Sequence, residues 1–124
     1  MASKFAIKKT ATGIKFNLKA GNGEVILDSE VYTTLTACKN GIESVKTNTP
    51  DAPVEDQTLE GYATEKNPKF ELYADKAGEF RFRLKAKNGQ VIGTSEGYKT
   101  KAGCQNGISS VKKNAAEATI VETE

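Results

Sequence analysis

The chain has 124 residues, 37% hydrophobic and 27% charged, with a net charge of +2, a balance that fits one globular domain. Histidine is absent, which removes the commonest general base and transition-metal ligand; no run approaches the roughly 20 apolar residues of a membrane span. The opening "MASKFAIKKT" lacks the apolar core of a secretion signal, so a cytoplasmic address is expected, with no membrane partner and no cofactor.

The elements follow in chain order. "KFAIKKTATGIKF" from Lys4 predicts two strands joined by a turn. Asn22-Gly23 then predicts a two-residue type I′ hairpin, in which both residues accept positive φ. That turn sets the register: Ala20 opposite Val25, Leu18 opposite Leu27, and Lys19 opposite Ile26. Near Thr34 the period changes from two to that of a helix. Cys38, Ile42 and Val45 form one apolar stripe. Thr34 is the expected N-cap, Asn48 the expected left-handed C′ residue, and Lys46 lies near the negative end of the dipole. Gly41 sits at the edge of the stripe. Glycine there costs about 0.5–1 kcal/mol of helix propensity, so a close approach of the helix to the sheet is expected. A short strand near Val54 ends this unit.

The pattern then recurs. "LKAGNGEVILDSEVYTTLTACKNGIESVKTN" (18–48) and "LKAKNGQVIGTSEGYKTKAGCQNGISSVKKN" (84–114) match at 19 of 31 positions without a gap. Upstream, "KFELYADKAGEFRF" from Lys69 aligns with the segment from Lys4, with a one-residue difference at the turn. The second unit therefore predicts strands at Phe70–Tyr73 and from Phe80, a turn at Asn88-Gly89, and a third strand. Next come a helix from Thr100 with the stripe Cys104, Ile108 and Val111, and a strand near Ile120. In the second hairpin Ala86 faces Val91, Leu84 faces Gly93 and Lys85 faces Ile92. Each unit is β-β-β-α-β, at about 3–58 and 68–123. "TPDAPVEDQTLEGYATEKNP" joins them and holds all three prolines. The fold class expected is α+β: one domain over 1–124, an antiparallel sheet with two helices on one face. The expected core is Phe5, Ile7, Phe16, Leu18, Ile42 and Val45 with Phe70, Leu72, Phe82, Leu84, Ile108 and Val111.

"KFELYADKAGEFRFRLKAKNGQVIGTSEGY" and "AGCQNGISSVKKNA" closely resemble the YegP-like family, small bacterial proteins of unknown function. The resemblance covers both units. The first unit departs from it at Ile14-Lys15-Phe16-Asn17, where the family pattern is Lys-x-Gly-x-Phe-Arg-Phe-Arg. The resemblance implies two units sharing one antiparallel sheet, with their C-terminal strands exchanged. It carries no activity and no catalytic residues.

Several residues invite a functional reading. Cys38 and Cys104 have no histidine to act as base and no Cys-x-x-Cys neighbour, so burial as small hydrophobes is expected over catalysis or zinc. Ser29-Glu30 and Ser95-Glu96 are adjacent on strands and point to opposite faces, a poor hydroxyl–base pair. Tyr32 and Tyr98 are expected to pack against the helix starts. Arg81, Arg83, Lys85 and Lys87 alternate with apolar residues and point away from the helices, extended by Lys15 and Lys19. A Glu71–Arg83 cross-strand pair is expected to consume part of this charge. The predicted register adds Ile26, Ile92 and Tyr73 to the same face. Lys19, Ile26, Tyr73, Arg81, Arg83, Lys85, Lys87 and Ile92 thus form the candidate partner surface. The favoured function is a non-enzymatic binding module for a protein or acidic partner, acting as a monomer or weak homodimer. The alternatives are a nucleic-acid binder and, ranked last, a cysteine-dependent enzyme.

Overall fold

Alternating apolar residues build the strands, and apolar residues at helical spacing build the helices. In the computed structural model, which describes residues 3–122, these are β1 (Lys4–Lys9), β2 (Ile14–Lys19), β3 (Val25–Ser29), α1 (Leu35–Asn48), β4 (Val54–Asp56), β5 (Lys69–Ala74), β6 (Phe80–Lys85), β7 (Val91–Thr94), α2 (Lys101–Glu117) and β8 (Thr119–Glu122). Position 123, assigned to the second repeat, lies outside the described residues.

The strands form one sheet in the order β4-β5-β6-β7-β3-β2-β1-β8. Its centre is the β3–β7 pair, where the two repeats meet antiparallel. At the ends the C-terminal strands are exchanged, as the resemblance implies. β4 of the first repeat pairs with β5 of the second, and β8 of the second pairs with β1 of the first. Both exchanged pairs are parallel, so the sheet is mixed rather than wholly antiparallel. The parallel pair β4–β5 is joined by the long connection 57–68, and parallel neighbours need a connection of about that length.

All twelve expected core residues are buried, none more than 3% exposed. Each repeat contributes the same aromatic stack. Phe5 meets Phe16 edge-on at 5.8 Å and Phe16 stacks on Tyr32 at 6.2 Å; Phe70, Phe82 and Tyr98 repeat this at 5.7 and 6.3 Å. Full burial of a Phe or Leu side chain is worth about 1.5–3 kcal/mol, and here the buried side chains of both repeats form one continuous cluster.

The helices start where expected. Thr34 Oγ1 accepts the Ala37 N–H at 3.0 Å, and Thr100 Oγ1 accepts the Gly103 N–H at 2.9 Å. They do not end where expected. Asn48 does not take a left-handed conformation, and α2 continues past Asn114 to Glu117. The two asparagines instead donate back into their own helices, to the hydroxyls of Ser44 and Ser110, both at 2.9 Å. Gly41 and Gly107 are sites of close approach. A Cβ on Gly41 would collide with the Tyr32 hydroxyl and come within 3.2 Å of Phe16 Cε2. One on Gly107 would collide with the Tyr98 hydroxyl and come within 3.1 Å of Phe82 Cε2.

The hairpins differ from the expected type I′ turns. Among the described residues only glycines take positive φ, Gly23 at 88° and Gly89 at 85°. The Gly23 N–H bonds Ala20 O, and the Ala20 N–H bonds Glu24 O, both at 2.9 Å; Gly89, Ala86 and Gln90 repeat this. This is the three-residue loop in which a left-handed glycine closes the turn. A register shift follows between Leu18 and Lys19, and between Leu84 and Lys85. Leu18 still faces Leu27 and Leu84 still faces Gly93, but Lys19 faces Val25 and Lys85 faces Val91. Ile26 and Ile92 are the extra residues of these bulges. They turn into the core, 7% and 5% exposed.

Candidate functional site

Sheet pleating assigns the faces. Phe16, Leu18, Phe82 and Leu84 look toward the helices. On the outer face lie Lys4, Ala6 and Lys8 of β1, then Lys15, Asn17 and Lys19 of β2. The second repeat presents Lys69, Glu71 and Tyr73 of β5 with Arg81, Arg83 and Lys85 of β6. The registers Lys4↔Lys19, Ala6↔Asn17 and Lys8↔Lys15 match Lys69↔Lys85, Glu71↔Arg83 and Tyr73↔Arg81 position for position. The last strands continue the match: Val121 stands beside Ala6 as Glu55 stands beside Glu71.

In the second repeat this face is closed. Lys69 Nζ lies 2.6 Å from Glu55 Oε1 and 3.2 Å from Glu71 Oε2, and Lys85 Nζ lies 3.4 Å from the same Glu71 oxygen. Glu71 also binds the Arg83 guanidinium, which lies over the Tyr73 ring at 4.6 Å. The connecting segment folds across the network: the Glu65 N–H donates to Glu55 Oε1 at 2.8 Å, and the Gln57 amide donates to the other oxygen. The side chains of Glu55, Lys69 and Glu71 are 2%, 7% and 4% exposed. Burial alone would raise the Glu55 carboxyl, but hydrogen bonds from Lys69, Gln57 and the Glu65 N–H outweigh it and bring its pKa to about 2. Glu71 is likewise lowered: burial is overcome by Arg83 and Lys69. Lys69 is raised, chiefly by its bond to Glu55.

In the first repeat Lys4, Lys15 and Lys19 stand where Lys69, Arg81 and Lys85 stand, but the two central carboxylates have no counterpart. Ala6 replaces Glu71, Asn17 replaces Arg83 and Val121 replaces Glu55. Lys4 and Lys8 are exposed, and Lys4 faces Lys19 directly across the strands. Lys15 pairs with Asp28 at 2.7 Å, whereas no carboxylate among the described residues pairs with Lys4, Lys8 or Lys19. Asn17 is buried, and its Oδ1 has no hydrogen-bond donor among the described residues.

The candidate surface is therefore divided. Arg83 and Lys85 are held by Glu71, and Arg81 is held by Asp75 at 2.7 Å. Tyr73 lies under Arg83. Lys87 sits beyond β6, in a cleft with Asn67, Pro68 and the end of α1. Ile26 and Ile92 belong to the core, and Ile92 lines a cleft with Ala37, Gly41 and Ser44 of α1. The period-2 pattern placed them outside because it does not register a bulge. Lys19 alone of the eight lies on the unneutralised half. Sequence reasoning missed Lys4, Lys8, Ala6, Asn17 and Val121. Their signal was present in the comparison of repeats: Ala6 stands where the second repeat has Glu71, and Asn17 where it has Arg83.

The sequence matches the model of a domain family of unknown function, DUF1508, at residues 10–56 and again at 75–122. The chain belongs to this family. Its relatives carry no established activity. A protein encoded in the 5′ region of the ptx operon of Stutzerimonas stutzeri is 41% identical over 98% of this chain and 97% of its own. YegP of Yersinia pestis is 44% identical over 94% and 91%, respectively. Two solution structures share the fold. The Escherichia coli yegP protein, of unknown function, has a TM-score of 0.81 at 37% identity over 99% of this chain and 94% of its own. A Shewanella oneidensis protein, SO3888, has a TM-score of 0.80 at 39% identity over 98% and 92%.

The other chemical candidates are structural groups. Cys38 and Cys104 are fully buried, and burial raises both thiols, Cys104 to about 11 with a further contribution from the Asp56 charge. Ser29 and Ser95 hydroxyls accept the Phe16 and Phe82 N–H groups at 2.9 Å and donate to the carbonyls of Glu30 and Glu96 at 2.8 Å. Both hydroxyls hold the central strands together. Among the described residues no group of three or more acidic or thiol side chains is placed to hold a metal ion, and no helix is long and apolar enough to cross a membrane.

Proposed function

We propose that the protein is a small non-enzymatic binding module that docks an acidic protein segment on the outer sheet face of its first repeat. The observation that carries this reading is the contrast between two halves built alike. One half neutralises its lysines with carboxylates and covers them with the connecting segment; the other leaves Lys4, Lys8 and Lys19 without a carboxylate among the described residues and Val121 exposed. Like charges directly opposite on neighbouring strands destabilise a sheet, so an arriving anion relieves a built-in cost. Nucleic acid fits less well. The face has lysine but no arginine for bidentate phosphate contacts and no aromatic side chain for base stacking, and the chain's pI of about 8.5 lies below the usual basic range of such domains.

Calorimetry with poly-L-glutamate tests this. Binding is expected for the wild type and for Arg81→Gln/Arg83→Gln, and is expected to disappear for Lys4→Gln/Lys8→Gln/Lys19→Gln. Equal losses in both variants, or tighter binding of a single-stranded oligonucleotide than of poly-L-glutamate, overturn the reading.

A further inference from the structure

The second repeat displays how its outer face binds a carboxylate, and the first repeat reproduces that arrangement with the carboxylate removed. Glu71 Oε2 is shared by Lys69 and Lys85, at 3.2 and 3.4 Å, and those two lysines face each other across β5 and β6. Lys4 and Lys19 face each other in the same way across β1 and β2. The residue at the position of Glu71 is Ala6, whose side chain ends at Cβ. The residue at the position of Arg83, which grips the other Glu71 oxygen, is Asn17. An asparagine offers both donors and an acceptor, and here its Oδ1 is buried with no donor among the described residues. Orphaned buried acceptors are uncommon and call for an explanation.

Resting on the docking reading above, we infer that the first repeat is a subsite for a single Asp or Glu side chain of the partner, its carboxylate seated over Ala6 between Lys4 and Lys19, with a backbone N–H of the same segment donating to Asn17 Oδ1. The occupant is an acidic polypeptide, because the two facing lysines flank the position that the Glu71 carboxylate fills on the equivalent face. There the connecting segment crosses the network and supplies the Glu65 N–H to Glu55. In the first repeat Val121 stands at the position of Glu55, so the partner brings its carboxylate with it. Specificity follows from geometry: two lysines facing each other across β1 and β2 flank one anion.

The test is to supply the missing carboxylate from within. Ala6→Glu restores the arrangement of the second repeat, so its carboxylate occupies Lys4 and Lys19. Affinity for poly-L-glutamate is expected to fall about tenfold, the loss of one desolvated charge pair. Ala6→Gln, of the same shape without the charge, is expected to stay within about twofold of wild type. If Ala6→Glu binds as wild type while the lysine triple variant does not, the subsite is wrong and the docking face stands. If Ala6→Gln loses as much as Ala6→Glu, bulk and not charge is responsible, and the subsite is again wrong. Wild-type protein gives a readout independent of these substitutions. Bound poly-L-glutamate is expected to slow acylation of the Lys4 and Lys19 amines while leaving Lys66 and Lys76 unchanged; no selective protection overturns the inference.

Discussion

Replacing Gly107 by alanine sets helix propensity against packing. In an exposed helix the change is favourable by about 1 kcal/mol. At Gly107 the added methyl collides with the Tyr98 hydroxyl and lies 3.1 Å from Phe82 Cε2, a ring that is fully buried. Overpacking of this kind costs typically about 1–3 kcal/mol. Tyr98 and Phe82 stack on each other at 6.3 Å, so neither ring yields without moving the other. The net expectation is a loss of up to about 2 kcal/mol, read as a drop of as much as several degrees in Tm by calorimetry or thermal circular dichroism. Tyr98→Phe removes the nearest atom, so the double variant Gly107→Ala/Tyr98→Phe is expected to recover part of the loss, with a coupling of about 0.5 kcal/mol or more between neighbouring sites. Gly41 with Tyr32 is the internal replicate. A Gly107→Ala protein more stable than wild type would mean that the glycine serves no close approach, and the reasoning about both helices would fall.

Three further expectations concern the whole molecule. Glu55, lowered to about 2 because its hydrogen bonds outweigh its burial, and Glu71, lowered in the same way, contribute stability that is present above the ordinary carboxylate range. That stability is expected to drain away as pH falls from about 4.5 toward 2; urea midpoints measured across this range check it, and flat midpoints contradict the network. Cys38 and Cys104 are expected to react with a thiol reagent only as fast as the protein opens, so labelling at neutral pH should accelerate sharply in denaturant; rapid labelling of the native protein contradicts their burial. Residues 1–60 expressed alone are expected to remain unfolded by circular dichroism and amide exchange, because β1 loses β8 and β4 loses β5. A cooperatively melting fragment would contradict the exchange of strands.

Much of the fold was legible because it is written twice. The Phe-x-Phe-x-Leu alternation placed the core, and Thr34 and Thr100 marked the helix starts. What failed did so for local physical reasons. Asn-Gly was read as a two-residue turn, but only the glycine takes positive φ, and the longer loop carries a bulge that swings Ile26 and Ile92 inward. Asn48 and Asn114 were read as helix stops, but a serine one turn earlier holds each amide inside its helix. The parallel pairing of the last strands depends on which repeat each one joins, which no local pattern encodes. At the site, the predicted Glu71–Arg83 pair forms. Glu55 completes the network only because the exchange brings β4 beside β5.

The central claim is that two equivalent outer faces exist in opposite states, one self-satisfied and one open. Amide chemical-shift mapping of the full chain during titration with poly-L-glutamate tests it most directly. Shifts are predicted to cluster at Lys4, Ala6, Lys8, Asn17 and Lys19, while Lys69, Glu71, Tyr73, Arg83 and Lys85 stay in place. Equal movement of both sets, or movement confined to the second, contradicts it.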